Sequence, residues 1–574
     1  MKILLITTSH NSMSQRIYVE LKDRNHDVDI HITSTDENMI EAVNQSQPAI
    51  IICPFLKAAI PAEIWQNHLC VIVHPGIKGD RGASSIDWAI LNKNEEWGVT
   101  LLQAEEEMDA GDIWSSNNYP MREATKSALY RNEATTEAVK GLFDLLEKYD
   151  QFLAGDYKAE PLDYSNTDVK GTLLPNMKQV DRKIDWLNDN SETIARKIRA
   201  ADSNPGVLDT IGGEDYYLFG CHVEDTIKGG IRQILGYRGD AVLVGTKGGA
   251  VWISHVKKKG SIKLPATIAL KHMLGNVPDL SISPFDEIKG RTYREIYYTE
   301  ANQVGYLHFD FYNGAMHTAH CQKLKEAIVE AKKKDTTVLV LMGGEDFWSN
   351  GIHLNTIENA ESPADESWEN INAIDDVVLE IINTTDKLVI TAMQGNAGAG
   401  GVILGLAADI VYARDGVVLN PHYKKMGNLY GSEYWTYLLP RRVGRQKASE
   451  LTETCPALST YEAKELGLVD TVLSETLEEF KQQVVEIAEY KAQIIRRDVL
   501  AEVKSTNRRE DEKEKPLAKY REEELEQMRI NFYGDDNSYH QARKEFVYKI
   551  SCDTKGILFN PNRQVEEKVE LVKS

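Results

Sequence analysis

The stretch CVIVHPGIKGDRGASSIDWAI, residues 70–90, decides how the first part of the chain folds. CVIVH is an apolar run closed by Pro75 and Gly76 and ending on His74. A run this short, bounded by turn residues, is a strand buried on both faces. Working outward, KILLIT at 2–7, DVDIHI at 27–32 and AIIICPF at 49–55 are further strands, and MSQRIYVELKDRN at 13–25 is a helix between two of them. Strands alternating with helices predict a parallel sheet covered on both faces. Ligands of such sheets collect at the carboxyl ends of the strands, where Phe55 and His74 fall.

A helix over 125–150 closes this region. Between about 165 and 285 the chain is richer in short strands and turns (YYLFGCHVED, AVLVGTK, GAVWISHV), the pattern of a small β-barrel. Near 295 an α/β pattern restarts with VGYLHFDF, a helix through CQKLKEAIVEAKKK, and TVLVLMGG. Helices are expected at 365–384 and 397–408, and from about 475 onward. STNRREDEKEKP at 505–516 is almost wholly charged, so it is a solvated helix or linker. The expected fold class is α/β multidomain, with domains over 1–160, 161–285 and 290–490 and a helical tail over 491–574.

Composition excludes several roles. With 66 Lys+Arg against 88 Asp+Glu, the chain lacks the basic balance of a nucleic-acid binder. The 6 cysteines form no CxxC pair, so neither a zinc ribbon nor another metal site is expected. Scattered thiols suit a reducing compartment. No apolar stretch approaches the roughly 18–20 residues that span a bilayer, and MKILLITTSH is too short for a signal peptide. A cytoplasmic protein with no membrane partner is the expectation; the oligomeric state stays open, a monomer included.

Moving a one-carbon acyl group requires stabilising a tetrahedral oxyanion and shuttling a proton through a group held in the right charge state. A lone strand-end histidine is more often structural than catalytic. Here EEEMDAGDIW at 105–114 adds a carboxylate, making His74 and Asp109 the natural pair. These residues resemble the N10-formyltetrahydrofolate-dependent formyltransferases over about 1–280. The resemblance rests on His74-Pro75, Arg81-Gly82, Trp88-Ala89-Ile90 and Asp109-Ala110-Gly111-Asp112-Ile113, and on KIDWLNDNSETIARKIRAADSNPG at 183–206. It implies a Rossmann-like first domain and an OB-like second one, with N10-formyltetrahydrofolate as cosubstrate. The pterin slot would use Phe55, Leu56, Ile60 and the 105–109 loop. The family's catalytic Asn falls on Ile72, which cannot donate a hydrogen bond.

Two glycine-rich segments lie downstream, EDFWSNGIHL at 345–354 and QGNAGAGGVILGLAADI at 394–410. Each lets backbone approach a ligand closely, as a thioester carbonyl held by two N–H groups requires. With NGAM at 313–316 and Asp409, they resemble the crotonase (enoyl-CoA hydratase/isomerase) superfamily over about 297–490, whose α/β spiral fold is then expected. That resemblance places oxyanion donors on Ile352 and Gly400. The two water-activating glutamates of hydratases fall on Ile403 and near Tyr423, so ordinary hydration is not expected. Tyr423, Tyr430, Glu433 and Tyr434 remain nearby, and Tyr423 with Glu433 is the favoured proton-transfer pair.

The order formyltransferase, barrel, crotonase resembles the HypX/HoxX hydrogenase maturation family along nearly the full chain. That family implies formyl transfer from N10-formyltetrahydrofolate to coenzyme A, then release of carbon monoxide from formyl-CoA. It also implies other hydrogenase maturation proteins as partners, and Arg131 and Arg563 as cations for CoA phosphates. Two alternatives stay open: hydrolysis of formyl-CoA to formate, and a crotonase half that is a non-catalytic scaffold.

Overall fold

The computed structural model describes residues 1–421 and 424–550, together with the backbone of Leu558–Phe559. Tyr423 and Arg563 lie outside the described residues. The chain gathers into two compact units: Met1–Leu280 with Lys289–Tyr293, and Ser281–Ile288 with Arg294–Ile550.

The first unit is built on a seven-stranded sheet. Strands Asp27–Ile32, Lys2–Thr7, Ile50–Phe55 and Cys70–His74 run parallel in that spatial order, with Ile3 opposite Val28 and Ile50, and Ile51 opposite Cys70. Ile3–Ile6 and Ile50–Cys53 are fully buried, which is why these stretches are apolar at every position. The sheet is not wholly parallel. Glu96–Gln103 runs antiparallel beside Cys70–His74, Ile113–Pro120 beside that, and Leu558–Phe559 antiparallel along the opposite edge. The helix expected over 125–150 spans Lys126–Leu129, a π-helical turn at Tyr130–Ala134, and Thr135–Ala154.

The β-rich segment of the same unit is a six-stranded antiparallel sheet packed on helix Ser191–Ala201. Its edge strands, Val207–Ile211 and Ile234–Arg238, do not pair with each other. A cavity of about 420 Å³ lies there, lined from both edges by residues including Thr210, Ile211, Arg232 and Ile234. The expected barrel is thus left open at the place where apolar side chains and turn glycines Gly212 and Gly213 meet.

The second unit carries a six-stranded sheet and a small three-stranded one. In the larger sheet Val304–Phe309, Val338–Leu341, Leu388–Met393, Ile410–Arg414 and Thr471–Leu473 are parallel. Side chains alternate between two cores, as a period of two requires. Leu339, Leu341, Val389 and Val411 join one core with Leu324 and Ile374 of helices Thr318–Lys332 and Pro363–Ile382. Val338, Val340, Ile390 and Tyr412 join the other with Phe480 and Val484 of helix Leu477–Ile494. Beyond it, helix Arg497–Glu514 has no buried residue, so the charged run is a solvated helix. Helices Leu517–Tyr533 and Ser538–Tyr548 follow. No helix among the described residues is long and apolar enough to cross a membrane.

Candidate active sites in the two units

In the first unit, His74 ends its strand with a side chain only 5% exposed. The expected partner is present but is the more distant of two: Asp109 Oδ2 lies 3.6 Å from His74 Nδ1, while Asp80 Oδ2 lies 2.8 Å from Nε2. Asp80 escaped the sequence reading although it directly precedes Arg81-Gly82. Its signal was Gly76. A Cβ on Gly76 would sit 2.3 Å from Asp80 Oδ2 and 2.5 Å from His74 Nε2, so only glycine leaves room for the pair. The Pro75–Gly76 turn is fixed by hydroxyls, with Ser85 donating to Pro75 O at 2.7 Å and Thr100 to Gly76 O at 2.9 Å.

Asp109 adopts φ 56°, a left-handed conformation that aspartate tolerates better than most residues. Its Oδ2 accepts the Gly82 N–H at 3.3 Å. Arg81 holds the loop before it, donating to Glu107 at 2.8 Å and to Met108 O at 3.0 Å. Burial works against an imidazolium at His74. The Asp80 hydrogen bond and the charges of Asp109 and Asp80 outweigh it and raise the imidazole above its ordinary value. The result is a buried imidazole flanked by two carboxylates that favour its protonated form.

Of the residues expected to form the pterin slot, Leu56 and Ile60 pack in one apolar cluster with Ile72 and Ala104. Ile72, where formyltransferases have Asn, is therefore part of an apolar wall. Phe55 lies outside that cluster and meets the Tyr130 ring edge-on, centroids 6.2 Å apart. Arg131 follows Tyr130 in the π-helical turn, a distortion that often marks functional positions.

In the second unit, the two expected oxyanion donors emerge side by side. Phe347–Ser349 and Asn396–Gly398 are adjacent parallel strands of the small sheet, with Ser349 opposite Ala397. Gly351 (φ 73°) follows the first strand, and a Cβ on it would lie 3.4 Å from Gly400 N. Ala399 (φ 50°) turns the chain so that Gly400 begins helix Gly400–Leu406, where N–H groups have no intrahelical acceptor. Among the described residues neither the Ile352 nor the Gly400 N–H donates to a backbone carbonyl. Ile403 is fully buried in the core behind them.

Glu433 reaches the same place. A Cβ on Gly400 would lie 2.0 Å from Glu433 Oε1, so the carboxylate rests directly on this glycine. Glu433 is 2% exposed and has φ 60°, as does Tyr434. Left-handed non-glycine residues cost about 1 kcal/mol or more and persist where surroundings impose them. Tyr430 packs instead against Trp435, centroids 5.4 Å apart. Thus Ile352, Gly400 and Glu433 come together.

Comparison with known proteins agrees with both halves. Residues 32–146 match the formyl transferase family, 176–273 the formyl transferase C-terminal domain and 302–553 the enoyl-CoA hydratase/isomerase family. A methionyl-tRNA formyltransferase of Streptococcus equi is 28% identical over 185 residues, 32% of this chain and 57% of its own. Along nearly the whole length, the hydrogenase maturation factor HoxX of Bradyrhizobium diazoefficiens is 44% identical, covering 96% of this chain and 95% of its own. The crystal structure of HypX from Aquifex aeolicus in complex with tetrahydrofolic acid is 46% identical, with a TM-score of 0.93 over 96% of this chain and 97% of that one. At these identities and coverages the chain belongs to the HoxX/HypX family of hydrogenase maturation factors.

Proposed function

We propose that the first unit transfers a formyl group from N10-formyltetrahydrofolate to the thiol of coenzyme A, and that the second splits formyl-CoA into carbon monoxide and coenzyme A. In the transfer, the CoA sulfur attacks the formyl carbon, the bond to N10 breaks and the thiol proton ends on N10. His74 carries that proton, with Asp80 and Asp109 stabilising its protonated form. Leu56, Ile60 and Ile72 receive the apolar pterin edge, with Phe55 beside them.

The observation that carries the second half is the Glu433 carboxylate lying on Gly400, within a cradle whose hydratase position is the buried Ile403. The Ile352 and Gly400 N–H groups polarise the formyl oxygen. Glu433 takes the formyl proton, the carbon–sulfur bond breaks, and the proton passes to the departing thiolate, with Tyr423 as its partner. Atoms balance: formyl-CoA gives carbon monoxide and free thiol. Keeping activated water away matters, because hydroxide at the same carbon would give formate. Arg131 and Arg563 supply cations for the CoA phosphates. The setting is the cytoplasm, beside other hydrogenase maturation proteins.

The test is headspace gas analysis after incubation with N10-formyltetrahydrofolate and coenzyme A. Carbon monoxide is expected; stoichiometric formate instead would make the second unit a hydrolase. Calorimetric absence of CoA binding would reduce it to a scaffold. Tyr423→Phe and Glu433→Gln should each abolish carbon monoxide release while formyl-CoA accumulates.

A further inference from the structure

The segment that presents Glu433 is held by two side chains far away in sequence. Asp375, on helix Pro363–Ile382, accepts the Glu433 N–H at 2.8 Å through Oδ1 and the Ser432 hydroxyl at 2.8 Å through Oδ2. Glu524, on helix Leu517–Tyr533, accepts the Tyr434 N–H at 2.9 Å through Oε2 and the Thr436 N–H at 2.8 Å through Oε1, which also takes the Thr436 hydroxyl. Both carboxyl groups belong to residues with 0% exposure. The left-handed backbone of Glu433 and Tyr434 is thus tied at each N–H.

Ser432 Oγ stands between the two carboxyls, 2.8 Å from Asp375 Oδ2 and 3.4 Å from Glu524 Oε2. One hydroxyl proton serves only one of them. The cation nearest Asp375 is Arg521, whose Nε is 3.6 Å away. Its Nη1 is committed to Asp376 at 2.7 Å and its Nη2 to Asn372 O at 3.0 Å. Asp376 also draws Lys325, at 3.0 Å. The other groups facing the pair, the Cys321 thiol and the Tyr430 and Tyr434 phenols, are held neutral by burial, which at Tyr434 outweighs the opposing Arg521 charge.

We infer that Asp375 and Glu524 are a positioning pair that shares one proton through Ser432, and that this singly protonated state holds the Glu433 carboxylate on Gly400. In it, Glu524 O–H donates to Ser432, Ser432 donates to Asp375, and every backbone N–H keeps its acceptor. Burial lifts Asp375 to about 6, and burial together with the Asp375 charge lifts Glu524 to about 8. Loss of the shared proton leaves two buried anions facing one another with one hydroxyl between them, and the segment loosens. The inference rests on the reading of Glu433 as proton carrier for the thioester step.

Two variants separate positioning from bulk structure. Glu524→Gln must turn an NH₂ toward the Tyr434 or Thr436 N–H. Asp375→Asn can accept from Glu433 N–H while donating to Ser432, which imitates the protonated pair. Carbon monoxide release from supplied formyl-CoA and hydrogen exchange at the Glu433, Tyr434 and Thr436 amides are followed against pH, with intrinsic exchange corrected. Wild type should lose both rate and amide protection as pH passes about 8. Glu524→Gln should lose about a hundredfold in rate and lose protection at Tyr434 and Thr436, with formyl transfer retained. Asp375→Asn should slow release by about tenfold at neutral pH but abolish the alkaline limb, because Glu524, no longer raised by the Asp375 charge, then ionises without a second anion facing it. An alkaline limb that persists in Asp375→Asn, or unchanged protection in Glu524→Gln, overturns the inference. If circular dichroism shows Glu524→Gln unfolded, the wild-type and Asp375→Asn limbs decide. If wild type releases no carbon monoxide, the decarbonylation reading fails. The pair is then judged by amide exchange alone: a pH step abolished in Asp375→Asn sustains it, and no step refutes it.

Discussion

Gly76 shows how one missing methyl group creates a charge site. Placing Asp80 against His74 needs a backbone at van der Waals distance from both, and any side chain at 76 would occupy that volume. Gly76→Ala should therefore separate the pair, leave Asp80 buried without its donor, and reduce formyl-CoA formation by tenfold or more, about the effect of one charge-assisted hydrogen bond. Initial rates of formyl-CoA synthesis check this. The charge state has its own signature. Because the native imidazole is raised, its contribution to stability is complete below about pH 6.5, the value in an unfolded chain, and is lost as pH rises through the native value. Asp80→Asn weakens that linkage. The gap in melting temperature between wild type and Asp80→Asn should be widest in mild acid and narrow with rising pH. A gap that widens with pH would mean that His74 is neutral in the native protein.

Elements place these residues, and here the sequence was legible to different depths. The apolar runs at 2–7, 49–55 and 70–74 announced central strands because burial on both faces leaves no room for polar side chains. The antiparallel pair Glu96–Gln103 and Ile113–Pro120 gave no such signal, since EWGVTLLQ and IWSSNNYP mix polar and apolar residues. The glycine-rich segments marked two close-approach turns, which are local features, and the crotonase resemblance placed Ile352 and Gly400 in them. Asp375 and Glu524 could not: each looks like a surface carboxylate on an amphipathic helix, and only tertiary packing buries it. The same holds for the tail. Helix Arg497–Glu514 buries nothing, and one of its ties is Tyr437, whose hydroxyl donates to Asp511 at 2.8 Å and accepts from Arg508. Tyr437→Phe should cost about 1–3 kcal/mol locally. The expected readout is faster hydrogen exchange across 497–514, with little change in the sheet of the same unit.

At the scale of the whole molecule, the residues proposed for each half reaction lie within one unit. His74, Asp80, Asp109 and the apolar wall belong to the first; Ile352, Gly400, Glu433, Asp375 and Glu524 belong to the second. The two chemistries should therefore separate by mutation and recombine by mixing. His74→Ala alone should make no carbon monoxide from N10-formyltetrahydrofolate, yet still release it from added formyl-CoA. Glu433→Gln alone should accumulate formyl-CoA. Together in one vessel, the variants should restore carbon monoxide after a lag set by the build-up of free thioester, and the lag should shorten as the Glu433→Gln protein is increased, because synthesis then limits. Gas analysis over time measures this directly. Absence of carbon monoxide from the mixture, with each remaining half reaction intact, would mean that the thioester must pass between sites of a single chain.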